Sequence, residues 1–294
     1  MDFPLEAVPN FSEARDAAVV KAIGLELAKY AELLDVHVDV DHNRSVFTLV
    51  GSEHELVDAL LAGIACAVKR IDLRGHGGVH PRIGAADVVP IVPIRSQDTP
   101  RAAAAALKLA RRVGEELALP VFLYADVGGG HGPAFFRRGG PEELQRRIDA
   151  GEIAPDFGPS RLHPSAGGVI LGARRPLIAF NVNLAGATVE IAQEIARVVR
   201  ERDGGFPGVR ALGLDLPSTG QAQVSMNVED WEASALHEIV EAIAREAAER
   251  GVEVAGSELV GLMPAGAAAA AAGAVLRIDG FDATRLLELR LLGE

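Results

Sequence analysis

The segment from Arg74 to Asp87 places two histidines, two arginines and an aspartate within fourteen positions, spaced by glycines. Its centre reads His76, Gly77, Gly78, Val79, His80, Pro81, Arg82. Three chemistries are open to these residue types. A histidine titrates near neutral pH, so either ring could take a proton and return it, with Asp87 or Asp39 fixing the tautomer. The spacing of His76 and His80 could chelate a metal ion if the segment were helical. Gly75, Gly77, Gly78 and Pro81 oppose a helix there, and no obvious third ligand set completes such a site. The rings could also do no more than stabilise turns. Charge concentrated among glycines, which let backbone approach a ligand closely, favours the acid–base reading.

Two further clusters could serve the same site. Along a strand, Asp35, His37, Asp39 and Asp41 share one face, and His42, Asn43 and Arg44 follow at once. Such a face needs cations or a ligand opposite it, although Asp41 to Asn43 also reads as a plain hairpin turn. Downstream, Gly158, Pro159, Ser160, Arg161, Leu162, His163, Pro164, Ser165, Ala166 and Gly167 form a stiff loop rich in donors. A stiff loop loses little entropy when it binds a ligand, and it could equally be a linker. No Walker motif, no dinucleotide-binding glycine pattern in a βαβ setting and no nucleophile elbow is present.

Elements must hold these clusters in place. Leu5 to Pro9 reads as a strand, and Ser12 as the cap of a helix from Ala14 to Lys29. Leu33 to Val40 and Arg44 to Val50 form a hairpin, and Ser52 caps a helix from Glu53 to Arg70. The histidine loop then leads into a strand from Asp87 to Ile94. Thr99 caps a helix from Arg101 to Leu117, and Pro120 to Tyr124 is another strand. The order repeats later: one or two strands within Gly168 to Leu184, a helix from Val189 to Arg200, a pair of strands around Pro217 to Gly220, a helix from Trp231 to Arg250, and a strand from Gly251 to Glu258. The pattern predicts an α/β (α+β) chain of two ferredoxin-like βαββαβ-type subdomains with mixed sheets, divided as residues 1–180 and 181–294. Asn181 and Asn183, with Gln223 and Ser225, make one strand face amide-rich rather than charged, which suits a cleft lined with hydrogen-bonding groups.

The chain has 294 residues and a formal net charge of −12, which argues against a nucleic-acid partner. A single cysteine, Cys66 in an apolar run, excludes a disulfide framework and fits a reducing, cytoplasmic setting. No run is long and apolar enough to span a membrane, and no secretory signal is visible.

VPNFSE at 8–13, DHNRSVFTLVG at 41–51, HGGVHPRIGA at 76–85, APDFGP at 154–159, GAR at 172–174, LIAFNVNL at 177–184 and LVGLMP at 259–264 together resemble the glutamate formiminotransferase family over nearly the whole chain. The resemblance implies two subdomains around a folate-binding tunnel, His80 as the catalytic histidine, and a folate-contacting loop at Gly158 to Gly167. It implies transfer of a formimino group from N-formimino-L-glutamate to N5 of the co-substrate tetrahydrofolate, within one-carbon metabolism and histidine degradation. No metal is expected, and a homodimer is. His42, Asn43, Arg44, His76, Arg82, Asp87, Asn181 and Asn183 become supporting residues, with Arg44, Arg82 and Arg161 or Arg174 as carboxylate holders. Alternatives are formyl transfer between 5-formyltetrahydrofolate and glutamate, or a metal-dependent amidohydrolase using His76 and His80. The chain departs from the family pattern at Ile91, where phenylalanine is usual, and across Asp126 to Arg138. It ends too early to hold the cyclodeaminase domain of the animal bifunctional enzyme.

Overall fold

The computed structural model describes residues 3–292, which divide between Arg175 and Pro176 into two compact units. The first contains β1 (Leu5–Ala7), β2 (Asn10–Phe11), α1 (Ala17–Leu27), β3 (Glu32–Asp39), β4 (Arg44–Gly51), α2 (Glu53–Arg70), β5 (Ala86–Pro93), α3 (Thr99–Glu116), β6 (Val121–Ala125), α4 (Pro133–Arg137), α5 (Gly140–Asp149) and β7 (Val169–Ala173). β1 and β2 lie in line between β4 and β5, antiparallel to both. The break falls at Val8–Pro9, because proline has no N–H to give the ladder. The Pro9 carbonyl still accepts from Phe47 N–H at 3.1 Å. With β3 on the far side of β4, this part has the expected βαββαβ arrangement.

β7 and β6 then extend the sheet, parallel to β5, which makes it mixed. The sequence reading began the repeated order within Gly168 to Leu184; of that run β7 closes the first unit and the strand that follows opens the second. A short apolar run carries no mark of which sheet it joins. Two caps also differ. Asp16, not Ser12, caps α1, accepting from Ala18 and Val19 N–H. The Ser12 hydroxyl instead donates to the Gly84 carbonyl at 2.7 Å. Asp98 rather than Thr99 precedes α3. Ser52 caps α2 as expected, with Glu55 completing a capping box.

The two faces of this sheet differ. Phe11, Phe47, Leu49, Leu60, Ile64, Val89 and Leu109 are fully buried where α1, α2 and α3 cover one face. On the other face, α4 and α5 cover a smaller cluster that includes Val88, Phe122, Tyr124, Phe136 and Leu144. Strand alternation and register give the rest of that face Glu6, Asn10, Arg44 and Thr48, with Asp35, His37 and Asp39 on edge strand β3.

The second unit contains β8 (Ile178–Ala185), α6 (Val189–Val199), β9 (Val209–Leu216), β10 (Gln221–Val228), α7 (Leu236–Glu249), β11 (Glu253–Val260), α8 (Ala265–Leu276) and α9 (Leu287–Leu292). Its sheet runs β11-β8-β10-β9. Every neighbouring pair is antiparallel, where a mixed sheet was expected. Each helical crossover returns parallel to its first strand, but a third strand always lies between the two. α7 begins at Leu236, five residues after Trp231 where the sequence reading began it; Ser234 is fully buried and its hydroxyl donates to the Pro207 carbonyl at 2.7 Å. Val182, Leu184 and Val224 pack under Ile195, Ile239 and Ile243. Among the described residues, no helix is long and apolar enough to cross a membrane.

Candidate active site

The loop between α2 and β5 is tied to the β3–β4 turn from both sides. Val79 N–H donates to the Asp41 carbonyl at 3.2 Å, and Asn43 Nδ2 donates to the Gly77 carbonyl at 3.1 Å. Asn43 takes a left-handed φ of 46°, which asparagine tolerates better than most residues, and its Oδ1 accepts from Ala14 N–H at 3.0 Å. Asp39 Oδ1 accepts from the N–H groups of Asp41 and His42 and so shapes the turn. Its other oxygen lies 3.4 Å from His42 Nδ1.

Arg82 is the clamp of this loop. Its guanidinium donates to the carbonyls of His42 at 2.5 Å, Asn43 at 2.9 Å and His80 at 2.9 Å. Gly78 leaves room for it. A Cβ there would stand 2.4 Å from the His42 carbonyl oxygen and 2.5 Å from Arg82 Nη2. The carboxylate-holding role expected of Arg82 therefore has little donor capacity left to serve it. Arg82 Nη1 also faces both ring nitrogens of His76, at 3.1 and 3.3 Å. Burial and then this cation hold His76 below its ordinary pKa.

The His80 ring has a defined tautomer. Nδ1 lies 2.9 Å from the Pro81 carbonyl oxygen, which can only accept. Nε2 lies 2.9 Å from Arg44 Nη1, which can only donate. The proton therefore belongs on Nδ1 and the lone pair on Nε2. Burial, then Arg44, Arg137 and His42, hold the ring well below its ordinary pKa near 6.5, and the bond to Pro81 opposes them weakly. His80 is a neutral base at physiological pH, with part of its surface open. Guanidinium groups facing the nitrogens of both His76 and His80 suit proton transfer better than cation chelation.

Arg44 projects from the start of β4 and holds Asn10 Oδ1 with its second terminal nitrogen. Asp87 is buried at 3% exposure. One of its oxygens accepts from Ile83 N–H at 2.7 Å, and the other from Arg137 Nη2 at 2.5 Å. Thus Asp87 braces the loop and anchors an arginine instead of touching the imidazole. The Nε atoms of Arg44 and Arg137 are both buried without a hydrogen-bond partner among the described residues. Burial, then Arg137, push Arg44 down to about 9 against the pull of Asp87 and Asp39. The surroundings of His80 are short of negative charge.

The two ends of the Gly158 to Gly167 loop differ in exposure and support. The Gly167 end is built against the histidine loop: Ala85 N–H donates to the Ala166 carbonyl at 2.9 Å and Gly168 N–H to the Ile83 carbonyl at 3.1 Å. Gly84 and Gly167 pair so closely that a Cβ on Gly84 would come within 1.8 Å of the Gly168 carbonyl oxygen. His163 Nδ1 accepts from Ala166 N–H at 3.0 Å, so His163 organises this turn. Leu162 N–H is held by Gln145 at 2.8 Å. Gly158 has a left-handed φ of 79°. Pro159, Ser160, Arg161 and Pro164 are exposed, and Ser165 is half-buried. Arg174, expected as a further carboxylate holder, donates to the Arg175 carbonyl at 2.9 Å.

In the second unit, Asn181 and Asn183 lie on the sheet face opposite α6 and α7. Asn183 Oδ1 accepts from Gln223 Nε2 at 2.9 Å, and Asn181 donates to Glu258 at 3.1 Å. From two strands alone this face read as amide-rich rather than charged; β11 brings Glu258 onto it.

Asn10 and Arg137 were not singled out from the sequence. Asn10 sits inside the VPNFSE motif, which was its only signal. Arg137 lies fifty residues from Asp87, in the stretch that matched no pattern, and only the fold joins the two.

Comparison with known proteins covers nearly the whole chain. The family described as "Formiminotransferase domain, N-terminal subdomain" matches residues 4–174, and "Formiminotransferase domain" matches residues 179–280. A glutamate formimidoyltransferase of Streptococcus pyogenes serotype M1 is 39% identical, with 98% of this chain and 99% of that protein covered. One of Thermoplasma acidophilum is 40% identical, with 98% and 97% covered. The formimidoyltransferase-cyclodeaminase of Sus scrofa is 40% identical over 88% of this chain, which spans 50% of that longer protein.

Proposed function

This chain belongs to the formiminotransferase family, and we propose that it carries the formimino group from N-formimino-L-glutamate to N5 of tetrahydrofolate, with His80 moving the proton. The observation that carries the reading is the His80 ring, neutral and with its lone pair on Nε2. N5 of the acceptor attacks the formimino carbon and a tetrahedral intermediate forms. His80 Nε2 takes the proton that N5 must lose. The same nitrogen delivers it to the glutamate nitrogen, the old C–N bond breaks, and glutamate leaves as an amine. Arg44 must yield its hold on Nε2 as the substrates enter. Its unpartnered Nε–H then suits a substrate carboxylate, as does that of Arg137.

The loop from Gly158 to Gly167 is read as the folate contact, supported by its junction with the histidine loop at Gly84. We place the enzyme in the cytoplasm and read it as a homodimer. Val36 and Val38 of edge strand β3, with Val40 just beyond its end, support the dimer: they are 40%, 42% and 50% exposed, an apolar stripe suited to a second copy. Sedimentation of the wild type and of Val38→Lys tests that assignment.

The function itself is tested by supplying N-formimino-L-glutamate and tetrahydrofolate and following 5-formiminotetrahydrofolate. N-formyl-L-glutamate serves as the competing donor. Turnover with the formyl donor alone would replace this reading with formyl transfer.

A further inference from the structure

We propose that the carboxylate of Glu6 reads the aminopyrimidine end of the pterin ring while His80 works at N5. The proposal rests on tetrahydrofolate being the acceptor.

Glu6 is the middle residue of β1, flanked by fully buried Leu5 and Ala7. Those two point into the helix-covered core, so Glu6 points to the opposite face. Asn10 and Arg44 share that face, because Phe11 and Phe47 point into the same core. Glu6 stands opposite Val50 and Asn10 opposite Val46 on the same strand. Four residues of strand at about 3.3 Å each separate them by about 13 Å. Arg44 joins the end of this row to His80, since it holds both Asn10 Oδ1 and His80 Nε2. Thr48 lies along the row, its hydroxyl buried and without a partner among the described residues.

Glu6 accepts no hydrogen bond among the described residues. It is half-buried, and burial pushes its carboxyl above the ordinary glutamate range while Arg174 pulls it back. A carboxylate at the centre of a sheet without a donor is costly unless a ligand supplies one. The ligand must offer donors, and it must reach Glu6 from a reacting nitrogen held at His80. The formimino carbon cannot do so, because it has to sit at the histidine. The carboxylates of the donor would be repelled. The pterin bicycle, with N5 at one end, has the reach only with its hydrogen bonds: about 6 Å from N5 to the exocyclic amino group, and about 12 Å with a bond of about 3 Å at each end, close to the length of the row. At its other end an N–H and an amino group lie side by side, the geometry that two carboxylate oxygens accept together.

Glu6→Gln tests this. Folinate titration and steady-state kinetics should show the Kd for folinate and the KM for tetrahydrofolate raised by roughly 10- to 100-fold, with the KM for N-formimino-L-glutamate unchanged. A folate analogue lacking the 2-amino group should bind the wild type more weakly than its parent, and bind Glu6→Gln as well as its parent. The apo variant should unfold at a higher temperature at pH 7, because an ionised, half-buried carboxylate has been removed. Should it fail to fold, Glu6→Asp keeps the charge with a shorter reach, and an intermediate loss of folinate affinity is expected. Unchanged folinate affinity, a loss confined to the formimino donor, or an equal amino-group effect in both proteins overturns the role of Glu6. If the wild type itself does not bind folinate, it is the reading of the acceptor that fails.

Discussion

Arg44 and His80 come from elements 36 residues apart, yet the guanidinium of one lies 2.9 Å from Nε2 of the other. A cation against the lone pair of a base keeps that base unprotonated, and it can be drawn away by an arriving carboxylate. The histidine is thereby stored neutral.

His80→Ala should lower kcat by about 10²- to 10⁴-fold, the usual worth of a positioned acid–base group. Folinate affinity should stay close to that of the wild type. Steady-state kinetics with a binding titration check both, and full turnover in the variant would remove His80 from the chemistry.

The pH dependence has a definite sign. Burial and then Arg44 depress the folded pKa of His80 below 6.5. The unfolded chain therefore binds more protons between these two values, and stability rises with pH across that window. The contribution is complete above about pH 6.5. It is lost as pH falls toward the folded pKa. Activity should accordingly be flat near neutrality, with its acid limb well below pH 6.5. Arg44→Gln should move that limb upward, which a pH profile of kcat/KM would reveal.

Arg82→Ala should leave three loop carbonyls short of a donor and destabilise the protein by about 2–4 kcal/mol. Arg82→Lys should recover little, since one ammonium cannot span the carbonyls of His42, Asn43 and His80 as a planar fork does. Thermal unfolding of the pair measures this. A lysine variant as stable as the wild type would contradict the clamp.

Asp87→Asn should cost about 3 kcal/mol, because Arg137 would keep a largely buried charge without its partner. Adding Arg137→Gln should restore part of that loss, and the coupling can be read from a double-mutant cycle. Strict additivity would mean that the two side chains do not act as a pair.

Much of this was legible in the sequence where causes are local. Ser52 as the cap of α2 needs only its own side chain and the turn that follows, and was read correctly. The histidine loop stood out because glycines and charges crowd one stretch. What escaped depends on partners distant in the chain. The Ser12 hydroxyl looks like a cap until Gly84, 72 residues on, takes it. Arg82 looks like a carboxylate holder until the β3–β4 turn presents its carbonyls. Arg137 had no local signal at all; its meaning is its distance to Asp87.

The place of β1 and β2 bears on how the chain is made. Residues 5–11 are synthesised early, yet they occupy the middle of the first sheet, between strands that end at Gly51 and Pro93. They cannot be seated until both flanking strands have left the ribosome. During that interval Leu5, Ala7 and Phe11 have no core to enter, and the nascent chain exposes them to chaperones or to the wrong neighbour. A slowed or stalled ribosome before Pro93 should therefore leave this protein open to capture, and swift synthesis through that point should favour its correct closure.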